Sequence, residues 1–336
     1  MLKRISILFS ALLLCLPLLS SGQILPNFGG QRAGLSTLSF LKNDMNPRSV
    51  GMSGASIANE VDAYCAASNP ASLATLTENS IGMSHLLVGA GIQQSFLSYQ
   101  HKLKNEATIG LSVNSLNSGD MLVRTEFQPD GTGQYFRMSQ NALKGNYSLK
   151  LSKMFSLGVG LTYIYETMQT YNTSTAAIDL GFLYQTDFKN LRFAVVVQNF
   201  GGNSSITGDA IQVEYNRDGS LELGQYSLPT VFKMGFAMDA YKTDKHLIVG
   251  SVQLNNPNDN AENIRIGAEY EYAKLLRVQA GYKLSVKGQS YPSFGFGYKS
   301  KIGVHPLRIN YGMNPTNAMG TQHIFGLQVS INKMER

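Results

Sequence analysis

The sequence predicts an all-β protein: a transmembrane barrel of about fourteen antiparallel strands, with a small N-terminal segment folded into its lumen as a hatch. Three observations carry this reading. From Asn79 onward, apolar residues recur at every second position in segment after segment. The residues between them are mostly small or uncharged. The connections divide into short basic turns and long polar loops, as they do at the two ends of an outer-membrane barrel.

Composition agrees. Charged residues make up 15% of the 336-residue chain, against roughly 25% in a typical soluble domain. Hydrophobic residues reach only 43% and the mean hydropathy is −0.10, which excludes a bundle of membrane helices. The 33 glycines, 17 tyrosines and 16 phenylalanines suit strands and turns.

The elements follow in chain order. Residues 1–22 read as a secretory leader: a basic Met1-Leu-Lys-Arg4, an apolar run from Ile5 to Leu19, then Ser20-Ser-Gly22 as the cleavage region. The run falls short of the ~20 residues of a spanning helix, and Cys15 lacks the small preceding residue of a lipid-anchor site. Leader removal leaves Cys65 alone, so no intramolecular disulfide is expected. Residues 23–78 form a lead-in and hatch. The part from 44 to 78 is rich in Ala, Ser, Gly and Asn, with one or two short helices, one of them starting at Asn69-Pro70. Such small residues make no core alone, but inside a barrel they permit close backbone approach.

The barrel occupies residues 79–332, with 333–336 a tail. In its clearest segment Phe155, Leu157, Val159, Leu161, Tyr163 and Tyr165 alternate with small or polar residues, Ile164 excepted. Segments 107–114, 178–184, 264–272, 276–284, 294–298, 307–311 and 325–331 repeat the pattern. Strands are expected to start near residues 80, 92, 106, 136, 155, 174, 190, 229, 245, 262, 275, 290, 304 and 321. Six turns are short and basic (101–105, 150–153, 187–192, 241–245, 273–277 and 299–301), whereas 115–134 and 202–228 are long and polar. An even strand number puts both termini at the short-turn end.

The direction of the apolar stripe follows from charge. A soluble sandwich turns its second face to water and fills it with Lys, Glu and Asp. Here that face is Gly, Ser, Thr, Asn and Gln, with scattered Asp179, Lys233, Arg265, Glu269, Glu271, Lys283 and Arg308 able to pair across a crowded lumen. A Lys or Arg facing lipid costs about 2–4 kcal/mol at mid-bilayer, and the stripe carries none in the clearest segments. It therefore faces lipid, which places the protein in the outer membrane. Tyrosines at segment ends replace the absent tryptophan as an interfacial girdle.

Chemistry-bearing patterns are sparse. Gly51-Met-Ser-Gly-Ala55 misses the second glycine of a nucleophile elbow. The five histidines lack metal-ligand spacing, and 256–263 lacks the spacing of an EF-hand loop. The net charge of +6 sits two residues at a time in the short turns rather than in one patch, against nucleic-acid binding. No cofactor, metal or catalytic group is expected.

One stretch carries a resemblance. Arg48-Ser-Val-Gly-Met-Ser-Gly-Ala-Ser-Ile-Ala58, an acidic stretch with Asp62, and Asn69-Pro-Ala-Ser-Leu73 resemble the hatch signature of the PorV/PorQ family, one of the FadL-like fourteen-stranded barrels. Asn46-Pro47 replaces the usual alanine, Ser53 a glycine, and the aromatic before Asn-Pro-Ala is displaced to Tyr64. The resemblance implies a hatch built on Arg48, Gly51, Gly54, Asp62, Asn69 and Pro70. It further implies a component of the type IX secretion system of Bacteroidetes. Its partners would be an outer-membrane translocon protein and secreted proteins with C-terminal signal domains, beside membrane lipid. The long loops would supply the partner contacts, with Asp120, Arg124, Phe127, Asp209, Tyr215 and Tyr226 as candidates. The alternative is a FadL-like channel for hydrophobic small molecules, with a greasy pocket at the external mouth and a lateral gap in the wall.

Overall fold

The computed structural model describes residues 34–103, 105–208, 224–284, 286, 291–317 and 319–331. The leader, the tail, Asp209 and Tyr215 lie outside them. The strands are β1 (Asn79–Gly89), β2 (Ile92–Lys102), β3 (Ala107–Asn117), β4 (Met121–Leu122), β5 (Tyr135–Phe136), β6 (Met138–Lys150), β7 (Phe155–Met168), β8 (Tyr171–Gln185) and β9 (Arg192–Gly201). They continue with β10 (Ser204–Thr207), β11 (Gln225–Tyr226), β12 (Val231–Lys242), β13 (His246–Pro257), β14 (Asn263–Tyr272), β15 (Leu276–Leu284), β16 (Ser293–Ile302), β17 (His305–Thr316) and β18 (Gly320–Ile331).

Fourteen of these make a wall, each antiparallel to its neighbours. β1 closes it against β18, from Asn79↔Ile331 to Leu87↔His323. Closure leaves no open edge, the condition for strands in lipid. The short β4–β5 hairpin stands beyond the wall, and β10 and β11 extend its rim beside β8.

The alternation resolves as two faces. In β7, Leu157, Val159, Leu161, Tyr163 and Tyr165 are exposed outward, Leu161 by 61%, while Ser156, Gly158, Gly160, Thr162 and Ile164 are buried inward. The outward positions of all fourteen wall strands contain no Asp, Glu, Lys or Arg. Phe155 to Tyr165 spans ten residue steps; at roughly 3.3 Å each and a tilt of about 40°, this makes an apolar belt about 25 Å tall, the height of a lipid-facing band. Toward the long loops the belt gives way to outward polar pairs, Ser115 with Asn141 (2.7 Å) and Tyr165 with Asn172 (3.1 Å).

Ile164, the break in the alternation, is explained by what it touches. It is wholly buried and forms an inward apolar seat with Leu116, Ala142, Ala177 and Leu228 under Leu38 and Phe40 of the lead-in.

Two expectations need correction. The loop asymmetry is partial, because at the long-loop end Gly89–Ile92, Met168–Tyr171 and Thr316–Gly320 also turn tightly. The described lead-in also does not lie at the short-turn end. The barrel segment begins and ends there, but the first described residues lie among the long loops, where Ser36 bridges Ser227 and Lys42 pairs with Asp259 at 2.6 Å. From there the chain descends through the lumen and leaves at the short-turn end into β1. The hatch, residues 44–78, is long enough to cross the barrel once, which an even strand count does not reveal.

Candidate functional site

The lumen has a plugged depth and a hollow one. The plug begins at Asn46, whose side chain accepts from the backbone N–H of Arg48 (3.1 Å) and Ser49 (3.5 Å) and starts the helix Pro47–Gly51. Proline at the first helical position needs no donor. This turn aims Arg48 at the wall. Its Nε and Nη2 donate to the two Glu269 oxygens at 2.5 and 2.8 Å, its Nη1 donates to Asn59 O at 2.5 Å, and Gln279 donates to the same carboxylate at 2.9 Å. A bidentate guanidinium–carboxylate pair is among the stronger polar contacts, and here both partners are buried.

Asp62 lies 3.9 Å from Arg48 and accepts from Asn46 Nδ2 (3.1 and 3.2 Å) and Tyr64 N (3.1 Å). Burial pushes the Asp62 carboxyl up, with Arg48 opposing. Burial, with Asp62 beside it, pushes Glu60 well above the usual carboxylate range; Ser56 and Ser68 donate to it. The Tyr64 hydroxyl lies 2.9 Å from Leu327 O and 3.1 Å from Met83 O, so the plug is tied to both strands of the closing seam.

Asn69 caps the second half. Its Oδ1 accepts from Ala71 N (3.0 Å), its Nδ2 donates to Ile57 O (3.1 Å), and Pro70 opens the 3-10 turn Pro70–Thr75. Inward wall glycines receive the plug. A Cβ on Gly158 or Gly181 would overlap Pro70 and Ala71, one on Gly281 would overlap Met52, and one on Gly51 would meet Gly295 Cα at 2.7 Å. Gly54 turns with φ +81° against Arg265. Arg48, Gly51, Gly54, Asp62, Asn69 and Pro70 thus come together in one body inside the barrel.

Several partners were missed from sequence. Lys144 pairs with Asp179, Arg192 with Asp239 (3.0 Å) and with Asn59, and Arg277 with Glu271, all inward. Strand parity was the available signal: each of these charges occupies an inward position.

Above the plug, toward the long loops, a cavity of about 250 Å³ is lined by the lead-in, the plug and β12–β15. Its walls include Asp44, Glu60, Lys233, Arg265 and Lys283 with amides such as Gln253 and Asn255, and a second space of about 110 Å³ adjoins it at Asp44, Arg265 and Lys283. This is not the greasy pocket expected of a hydrocarbon channel.

The loop candidates lie apart. Asp120 pairs with Arg137 at the base of the β4–β5 hairpin; Arg124 is exposed, and Phe127 at the tip is 94% exposed. Tyr226 is half-exposed on the rim beside Ser204.

No family model matches the sequence, and no curated protein matches it. Solved structures do resemble the fold. The Pseudomonas putida toluene transporter TodX aligns with a TM-score of 0.54 at 12% identity, covering 89% of this chain and 98% of that one. The Ralstonia pickettii toluene transporter TbuX aligns at 0.53 and 12% identity, covering 84% and 96%. The CymD monoaromatic hydrocarbon channel aligns at 0.51 and 14% identity, covering 85% and 96%. The chain is therefore an outer-membrane β-barrel of FadL-like fold, and the structures it resembles are transporters and channels.

Proposed function

We propose that this chain is a non-enzymatic component of the type IX secretion machinery, similar to the PorV/PorQ family, that binds a translocon protein, secreted signal-domain cargo or both through its long-loop rim. The observation that carries this reading is the plug: wall and hatch meet backbone to backbone at Gly158, Gly281 and Gly295, which leaves the rims to meet other molecules. The β4–β5 hairpin supports it by holding Phe127 out at its exposed tip. Purification from native membranes in mild detergent, followed by mass spectrometry, should recover a translocon protein or cargo bearing the signal domain. Recovery of neither, with secretion intact in a deletion strain, overturns the proposal.

A second reading, uptake of a hydrophobic solute, draws on the likeness to toluene transporters and on the cavity at the external mouth. The charged lining of that cavity opposes it. So does the wall: where β9 leaves β12 above Gln198, the opening is stitched by Asn199 Nδ2 donating to Pro229 O (3.3 Å) and Thr230 Oγ1 donating to Asn199 O (3.0 Å). Uptake of toluene into liposomes, lost on removal of residues 44–76, would favour this reading over the first.

A further inference from the structure

The hollow above the plug has the chemistry of a binding site that neither reading of the rims requires. β12, β14 and β15 each place one cation on it, Lys233, Arg265 and Lys283, all near the long-loop ends of their strands. The acids facing them are Asp44 and Glu60. Asp44 already accepts from Ser49 Oγ and from Asn46 N at 3.0 Å, and Glu60 from Ser56 and Ser68. Lys42, also on the cavity, is held by Asp259 at 2.6 Å. Among the described residues Lys233, half-buried, has no hydrogen bond or ion pair, and Lys283 donates to the Asn314 amide oxygen at 3.4 Å. Three cations thus face two acids, an excess of positive charge held away from bulk water, which is unfavourable and which an arriving anion balances.

The remaining lining is rich in amides, among them Asn260 and Asn263 beside the mutually bonded Gln253 and Asn255 (2.6 Å), which suit hydroxyl groups rather than a hydrocarbon. About 250 Å³ is on the order of eight water volumes at roughly 30 Å³ each, the scale of one sugar ring with a substituent. The plug closes the floor, so the space is a pocket and not a passage.

We propose that this cavity binds a small anionic sugar, a sugar phosphate or a sugar acid, with Lys233, Arg265 and Lys283 holding the anionic group and the amides the hydroxyls. The proposal is independent of what the rims bind. It is tested by equilibrium dialysis of the purified full-length protein in detergent against glucose 6-phosphate, gluconate and neutral glucose. At least one of the two anions should bind and glucose should not, with binding weakening as salt rises. Lys233→Gln and Lys283→Gln should each weaken it by roughly tenfold, since each removes a charge at close range. Asp44→Asn should tighten it, and Lys233→Arg, which keeps the charge, should retain it; these two keep the test decisive if a glutamine variant fails to fold. Absence of binding by both anions, equal binding of glucose, or an affinity indifferent to both glutamine variants overturns the proposal.

Discussion

The plugged and hollow depths of the lumen lie inside one closed wall, yet their inward residues differ in kind. At the plugged depth the wall offers Gly158, Gly181, Gly281, Gly295, Gly312 and Gly326, and the plug fills the space so closely that a single methyl on most of them has no room. At the hollow depth β12, β14 and β15 carry Lys233, Arg265 and Lys283, and the lead-in passes to one side. Side-chain size at inward positions therefore decides where this barrel is filled, and charge at inward positions decides what the unfilled part can hold. The plugged depth is also the stiffer of the two, because its polar groups are committed to one another: Arg48 to Glu269, Asp62 to Asn46, Tyr64 to the closing seam.

The largest way to break this contrast is to unpair the plug. Arg48→Met leaves the buried Glu269 carboxylate without its counter-charge and should cost about 3–5 kcal/mol. The readout is the thermal or urea midpoint in detergent. The double variant Arg48→Met/Glu269→Gln should recover most of the loss, because no uncompensated charge remains. Equal losses in the single and double variants would mean that packing, not pairing, holds the plug. Next in size is Gly158→Val, which forces side-chain atoms into the backbone of Pro70 and Ala71 and should cost about 1–3 kcal/mol or more. Hydrogen exchange should then show residues 69–74 losing protection while the wall keeps its own. Gly145→Val is the control. Gly145 faces outward with nothing within 4 Å of its Cβ position, and the variant should leave the midpoint unchanged.

Most of the wall was legible in the sequence, for a physical reason. Lipid tolerates no charge and a closed barrel enforces strict alternation, so the segments around Phe155–Tyr165 and Ile264–Tyr272 declare both strand and facing. The plug was legible as a composition, since Arg48, Asn69 and the glycines stand out, but its contacts were not. Nothing local says that Arg48 meets Glu269 221 residues away. The short strands β4, β5, β10 and β11 escaped because two to four residues carry no usable period. The path of the lead-in escaped because Leu38 and Phe40 are held by single inward residues on several strands, Leu116, Ala142, Ile164 and Ala177, a set assembled only by closure. The exception at Ile164 was a trace of it.

A smaller effect sharpens the boundary between the two depths, where Glu60 belongs to the plug yet lines the hollow. In the unfolded chain its carboxyl ionises in the ordinary range, whereas in the fold burial holds the proton to higher pH. The folded form binds more protons, so this group's contribution is fully present below the unfolded value and is lost as pH rises through the folded one. Glu60→Gln should therefore raise the midpoint at about pH 8 and leave it near wild type at about pH 4. A gain of the same size at both pH values would assign the effect to packing.

The smallest expected effect on stability falls outside the lumen altogether. Phe127 touches neither depth; it stands 94% exposed at the tip of the hairpin, and removing it should change stability by no more than about 0.5 kcal/mol. An exposed aromatic at a rim is the kind of residue that dominates a binding surface once buried by a partner. Phe127→Ser should then leave melting and anion binding untouched while reducing recovery of translocon or cargo proteins from native membranes. A loss of anion binding in that variant would join rim and cavity into one site. Partner recovery unchanged from wild type would instead remove the hairpin from the interface and move the search to Tyr226 and the rim beside the lead-in, where Ser36 already pairs with Ser227.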